Sequence, residues 1–282
     1  MILVTGSGGL FGRALIGRLL DEQRPYSTAV GDLRDRATAG AAIEACRPTV
    51  VVHLAGGRGK DRLDLYERNI LTTINVIEAS ARAQRVPAVL VMGSAAEYGA
   101  GSKERLSEDH PLRPVSDYGA AKVAQTTLAL AMGERLAVPV TVLRPFNPVS
   151  PELSRDVALG NARAQLLENP GTTKHLTLGR LDVVRDFVPI DLVVDAIIKV
   201  VDRALPGEVI NVCSGLGITL GDIVNAMAER LGVSFVAEVD PDLARSPAGE
   251  TVIGDPTRME RSLGLHVSPT AESLAETMVS TR

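Results

Sequence analysis

The sequence predicts an α/β fold, a doubly wound parallel sheet with a smaller α/β lobe, on three observations. Short apolar runs rich in β-branched residues recur at 2–5, 49–55, 88–94, 138–145 and 208–214; helix-period stretches lie between the early ones; and the first run breaks at once into GSGGLFG. Runs this short and without polar alternation suit strands covered on both faces. Strands alternating with helices belong in one parallel sheet.

Taken in order, ILVT (2–5) is the first strand and LFGRALIGRLLDEQ the first helix, with apolar residues three and four apart. Only YSTAV is left for a strand before Asp32, so this part of the fold is abbreviated. TVVVHLA and AVLVMGS are the next strands, joined by the helical DLYERNILTTINVIEASARAQ. YGAAKVAQTTLALAMGERLA then leads as a helix into the strand VPVTVLRP. After about residue 148 the pattern changes to loops rich in Pro, Asn and Ser, an isolated LTLGR strand, a helix near 191–203, the strand EVINVCS and a mix of short elements. The expected division is a dinucleotide-binding domain of 1–147 plus about 182–214, and a second lobe of about 148–181 plus 215–282.

Composition excludes several classes of function. Hydrophobic residues make up 45% of the 282, the formal charge is −4, and no block of basic residues offers a surface for nucleic acid. MILVTGSGG has no basic lead-in and no long apolar stretch, so it reads as a buried strand of a cytoplasmic protein with no membrane partner. Cys46 and Cys213 each sit in an apolar segment, as core residues of a reducing compartment do. Neither they nor the four histidines have metal-ligand spacing, so no metal is expected.

The glycine turn carries the first chemistry. Gly6, Gly9 and Gly12 form GxxGxxG at the first strand–helix junction, where a pyrophosphate needs backbone approach without a Cβ and the free N–H groups of a helix start. Asp32 stands twenty residues beyond Gly12, the distance at which an acid meets the adenosine ribose of NAD. Arg24, Arg34 and Arg36 are close enough in sequence to receive a 2′-phosphate instead, so NAD and NADP both stay open.

Tyr118 and Lys122 come from a chain with four tyrosines and five lysines, and their i, i+4 spacing puts them on one helix face. A phenol can pass a proton to or from a sugar oxygen during hydride transfer if adjacent positive charge pulls its pKa down from about 10. Lys122 is placed to supply that charge. Ser94 closes a strand at its carboxyl end, where ligands of such sheets sit.

With the glycine turn, GDLRD, VVHLAG, GSAAEYG and YGAAK in this order, nearly the whole chain resembles the extended short-chain dehydrogenase/reductase family, which implies a Rossmann-type sheet. LRPFNPVSP, VRDF, NVCSG and RSPAGETVIGD are similar to the nucleotide-sugar half of that family, closest to its GDP-4-keto-6-deoxy-mannose reductases. The resemblance implies NAD(P)(H), a nucleoside-diphosphate sugar and a homodimer formed through first-lobe helices. It implies that Leu10 and Phe11 of the turn, Leu33 beside Asp32, and Leu54, Ala55 and Gly56 after His53 also line the cofactor. His53 itself supports that loop through hydrogen bonds. Ser94, Tyr118 and Lys122 are the implied catalytic set, with Tyr118 and Lys122 also on the cofactor and Ser94 also on the substrate.

Asn147, Arg163, Arg185 and Arg245 are the implied substrate residues, arginine suiting phosphate through its planar fork of donors. Equally, Asn147 between two prolines fits a turn, and the arginines fit surface ion pairs. Alanines follow Ser94 where nucleotide-sugar 4,6-dehydratases carry an acidic pair, which disfavours dehydration. Ser150 replaces the family's glycine in the asparagine loop. The expected activity is reduction of a nucleotide-linked 4-keto-6-deoxyhexose; a 4-epimerase and a non-catalytic nucleotide-binding regulator are the alternatives.

Overall fold

Six parallel strands make the main sheet: β1 (Ile2–Thr5), β2 (Tyr26–Thr28), β3 (Val50–His53), β4 (Ala88–Met92), β5 (Val140–Pro145) and β10 (Val209–Val212). Their order is β10-β5-β4-β3-β1-β2, so the winding reverses between β1 and β3, the point where sheets of this kind bind ligands at the carboxyl ends of their strands. The structure is a computed structural model that describes residues 1–99, 102, 104–168, 171–241 and 251–280.

Most positions of the inner strands are apolar because both faces are covered, the exceptions being Thr5, His53, Thr141, Arg144 and Asn211, while the edge strand β2 is the half-exposed YST. Ile2, Val4, Val50, Val52, Leu90 and Met92 pack against Leu15 and Leu19 of α1 (Leu10–Asp21) and against the apolar face of α7 (Ile190–Arg203). Alternate residues Leu3, Val51, Val89 and Val91 meet α2 (Arg36–Cys46), α4 (Thr72–Arg82) and α5 (Asp117–Leu136) on the other side. Leu15 is fully buried, so truncating it to alanine would cost about 2–5 kcal/mol.

Before α4, the short helix α3 (Arg62–Tyr66) runs into a single π turn at Glu67–Leu71. That turn buries Asn69, whose amide grips Gly57: Oδ1 accepts its N–H at 3.0 Å and Nδ2 donates to its carbonyl at 2.8 Å. The loop after β3 is fixed in this way.

A second core joins α6 (Ala158–Glu168), α8 (Leu220–Leu231) and the helix Ala271–Val279 around Leu159, Leu166, Leu176, Met227 and Met278. The LTLGR segment is not isolated. As β7 (Thr173–Leu178) it pairs in parallel with β12 (Ser234–Val239), a long-range partner that local periodicity does not reveal. Of the strands between 182 and 214, only β10 joins the main sheet. β8 (Val184–Arg185) pairs with β11 (Ile218–Thr219) and β13 (Thr251–Val252), and β9 (Phe187–Pro189) with β6 (Asn147–Val149).

Candidate active site

The chain leaves β1 through Gly6 with φ of +67°, a conformation costly for any residue with a side chain. A Cβ there would stand 2.5 Å from the Ala55 nitrogen, and one on Gly12 would run into the Gly6 carbonyl. Gly9 has ordinary extended backbone and caps α1 without a side-chain acceptor, so the first N–H groups of the helix face the turn. Leu10 and Phe11 open that helix, and Phe11 packs on the core beneath. A cradle that a Cβ would fill, ending on a helix N-terminus, fits a dinucleotide pyrophosphate.

In the loop after β2 the Asp32 carboxylate accepts from Arg34, at 2.9 Å from Nε and 2.6 Å from a terminal nitrogen. These bonds, with the Arg34 backbone N–H, hold the acid below its usual range. The other terminal nitrogen of Arg34 donates to Asp64 at 3.0 Å and Glu67 at 3.3 Å. Arg24 pairs with Asp202 and Arg36 with Glu78, so each of the three arginines expected to receive a 2′-phosphate already faces a carboxylate. Leu33 is a core side chain that offers only its backbone, and its carbonyl accepts from Asn75. Leu54 and Ala55 lie against Gly6, and Gly56 (φ +144°) against the Asn69 side chain.

Ser94 caps the 3₁₀ turn Ala95–Glu97, its Oγ accepting from the Ala96 N–H at 3.2 Å. Ser94 and Tyr118 line one cavity of about 540 Å³ together with Ala95, Ala96 and Asn147. Lys122 lies one turn along α5 from Tyr118, and its Nζ is 5.8 Å from the Tyr118 ring centroid. Burial lowers Lys122 to about 8, while the charge of Glu97 acts upward. The expectation for Tyr118 needs correcting. Burial raises its pKa, because a phenolate loses more from desolvation than the Ser94 hydroxyl and the Arg58 charge return; Glu97 adds to the rise. His53 is buried and neutral, its pKa pushed down to about 3 by burial and by Lys122.

A second cavity of about 480 Å³ adjoins the first, and Arg185 lines it with Arg58, Arg155 and Arg180. Arg58, Asn147 and Pro148 border both cavities and form the neck between them. Asn147 is held there because its Nδ2 donates to the Asp186 carbonyl at 2.8 Å. Arg163 is not brought to either cavity: its Nε donates to the Met278 carbonyl at 2.6 Å, tying α6 to the last helix. Arg245 lies outside the described residues.

The sequence reading missed Arg58, Arg155 and Arg180. Arg58 alone carried a usable signal, since it follows two glycines at the carboxyl end of a parallel strand, where ligands bind. Among the described residues, no group of three or more His, Cys, Asp or Glu side chains is placed to hold a metal ion, and no helix is long and apolar enough to cross a membrane.

Fold and site together define a dinucleotide-binding enzyme with a Rossmann-type sheet. The chain belongs to the NAD dependent epimerase/dehydratase family, which matches residues 2–213, and is an NAD(P)-dependent oxidoreductase of the extended short-chain dehydrogenase/reductase type. It is 32% identical over 288 residues to the dTDP-6-deoxy-L-talose 4-dehydrogenase (NAD(P)(+)) of Kitasatospora kifunensis, covering 93% of this chain and 89% of that one. It is 25% identical over 276 residues to the GDP-6-deoxy-D-mannose reductase of Pseudomonas aeruginosa, covering 93% and 90%. Its fold matches that of RMD from Pseudomonas aeruginosa complexed with NADPH, with a TM-score of 0.85 at 23% identity over 99% of this chain and 97% of that chain.

Proposed function

We propose that this chain reduces the 4-keto carbon of a nucleoside-diphosphate 4-keto-6-deoxyhexose, using NAD(P)H. One observation carries the reading: Tyr118 and Ser94 face a single cavity, with the Lys122 ammonium under the Tyr118 ring and alanines where a dehydratase needs acids. The two named relatives, a 4-dehydrogenase and a reductase of deoxyhexoses on dTDP and GDP, support it. When bound, the nicotinamide supplies the hydride.

Tyr118 gives its phenolic proton to the sugar oxygen as the carbonyl is reduced. Burial keeps the phenol protonated at neutral pH, so it is a donor as it stands. Ser94 donates a hydrogen bond to the same oxygen and orients it. Lys122 offsets the phenolate charge left on Tyr118; two of its three N–H groups are held by protein, and the third serves the cofactor ribose.

The diphosphate threads the neck beside Arg58 and Asn147 and ends against Arg185, whose guanidinium forms charge-assisted bonds to phosphate oxygens. Residues 1–147 with about 182–214 hold the cofactor, and the rest covers the sugar nucleotide. The protein works as a cytoplasmic homodimer.

The test is a panel of GDP-, dTDP- and UDP-linked 4-keto-6-deoxyhexoses offered with NADH and with NADPH. Stoichiometric consumption of reduced cofactor with one of them is the expected outcome. Tightly held NAD after purification, with interconversion of UDP-glucose and UDP-galactose and no added cofactor, would establish the 4-epimerase instead.

A further inference from the structure

A file of buried polar side chains runs beneath Tyr118 from Lys122 to the loop after β3. Lys122 Nζ donates to Gln125 Oε1 and to the Met92 carbonyl, both at 2.8 Å. Gln125 Nε2 donates to Thr73 Oγ1 at 2.8 Å. The single hydroxyl proton of Thr73 goes to the Asn69 carbonyl at 2.7 Å, so its oxygen accepts from both Gln125 and His53 Nε2, the latter at 3.1 Å.

The remaining protons are then fixed. His53 carries hydrogen on Nε2, and its Nδ1 accepts from Thr5 Oγ1 at 2.8 Å. Thr5 accepts in turn from the Ala55 N–H at 3.2 Å. A lysine has donors only, so the amide of Gln125 has one permitted orientation. None of Thr5, His53, Thr73, Lys122 and Gln125 is more than 4% exposed, and water does not compete for these bonds. A buried network with every member satisfied is stiff; one with a member removed is costly.

We propose that Gln125 is a positioning residue that holds the Lys122 ammonium charged beneath Tyr118 and couples it, through Thr73, His53 and Thr5, to the Ala55 loop. The inference rests on the reading of Lys122 as a cofactor ligand and goes beyond it, because Gln125 reaches neither cavity. Lys122 has left water, so its charge depends on the acceptors that replace hydration. The titratable groups facing it are His53 on β3, Tyr118 on α5 and Glu97 after β4. His53 is neutral at working pH, Tyr118 stays protonated, and only Glu97 adds a charge that favours the ammonium. Gln125 and Met92 supply the rest.

Selective labelling tests this without knowing the substrate. The chain has five lysines, so in protein carrying carbon-13 at the lysine ε position the Lys122 signal is the one lost in Lys122→Met. It should titrate near pH 8 in the native protein. In Gln125→Leu the midpoint should fall by about one pH unit or more, and in Gln125→Glu it should rise by a similar amount. NADH affinity at pH 8.5, followed by fluorescence, should drop several-fold in Gln125→Leu and rise by about three-fold in Gln125→Glu, as the charged fraction of Lys122 does.

An unchanged Lys122 midpoint in both variants would overturn the positioning role. If Gln125→Leu fails to fold, the upward shift in Gln125→Glu decides alone. Lys122→Met binding NADH as tightly as the native protein would instead defeat the reading of Lys122 itself, and the role of Gln125 with it, whatever the midpoints do.

Discussion

The buried Glu97 carboxylate accepts the Nε–H of Arg144 at 2.9 Å through one oxygen and the backbone N–H of Ser94 at 2.9 Å through the other. Neither side chain of the ion pair is more than 4% exposed. The carboxylate fits there because Gly93 has no Cβ; one would stand 2.6 Å from Glu97 Oε1. Ser94 is therefore aimed by a charge pair it does not belong to, and the acid that follows it in GSAAEYG is turned away from the cavity.

Glu97→Ala should destabilise the protein by about 3–5 kcal/mol, since it leaves the Arg144 guanidinium buried without a carboxylate, held only by the Tyr98 hydroxyl at 3.2 Å and the Glu108 carbonyl at 3.4 Å. Turnover of the surviving folded enzyme should fall as well. Urea unfolding checks the first effect; a loss under about 1 kcal/mol would mean that Arg144 finds water or another partner.

Tyr118→Phe keeps the ring and removes only the proton donor. Turnover should drop by about 10² to 10⁴, with NADH and nucleotide affinities nearly unchanged. Native-like turnover in the purified variant would take Tyr118 out of the mechanism.

Arg185→Ala should weaken binding of the sugar nucleotide and of the free nucleoside diphosphate, roughly ten-fold or more for a lost charge-assisted bond. Arg58→Ala should do the same from the neck. Calorimetry with GDP, dTDP and UDP reads both. Unchanged diphosphate affinity in both variants would place the phosphates elsewhere.

Asp32→Asn should raise the ratio of NADPH to NADH affinity by about ten-fold or more, as it removes a negative charge from the 2′ position and frees the Arg34 fork for phosphate. Fluorescence titration of both cofactors measures it. A ratio unmoved by the substitution would show that the adenosine ribose sits away from Asp32.

His53 sets an acid limit. Its folded pKa of about 3 lies below its ordinary 6.5, so the unfolded chain binds the extra proton between these values. Stability is therefore complete above about pH 6.5 and falls as pH drops toward 3, by about 2 kcal/mol at pH 5 from this group alone. His53→Gln does not titrate, so between pH 7 and pH 5 it should lose less stability than the native chain. Equal losses in urea melts at the two pH values would contradict a buried neutral histidine.

The sequence by itself determined the central strands of the sheet, because a strand covered on both faces is apolar at most of its positions, and that is legible locally. It also determined the glycine turn, whose need for absent Cβ atoms at Gly6 and Gly12 is written in the residue type. The spacing of Tyr118 and Lys122 followed from helical periodicity alone. Only the tertiary structure decided what meets across the chain. Gln125 reaches Thr73 and, through it, His53; Glu97 reaches Arg144, and Arg58 reaches the neck beside Asn147. β7 finds β12, while Arg163 turns to Met278. Such contacts join residues far apart in sequence, and side-chain direction and burial choose among many equivalent polar partners, so no local pattern marks them. The pKa of Tyr118 belongs with these: neighbouring cations were readable from spacing, but the depth of burial that outweighs them exists only once the chain has folded.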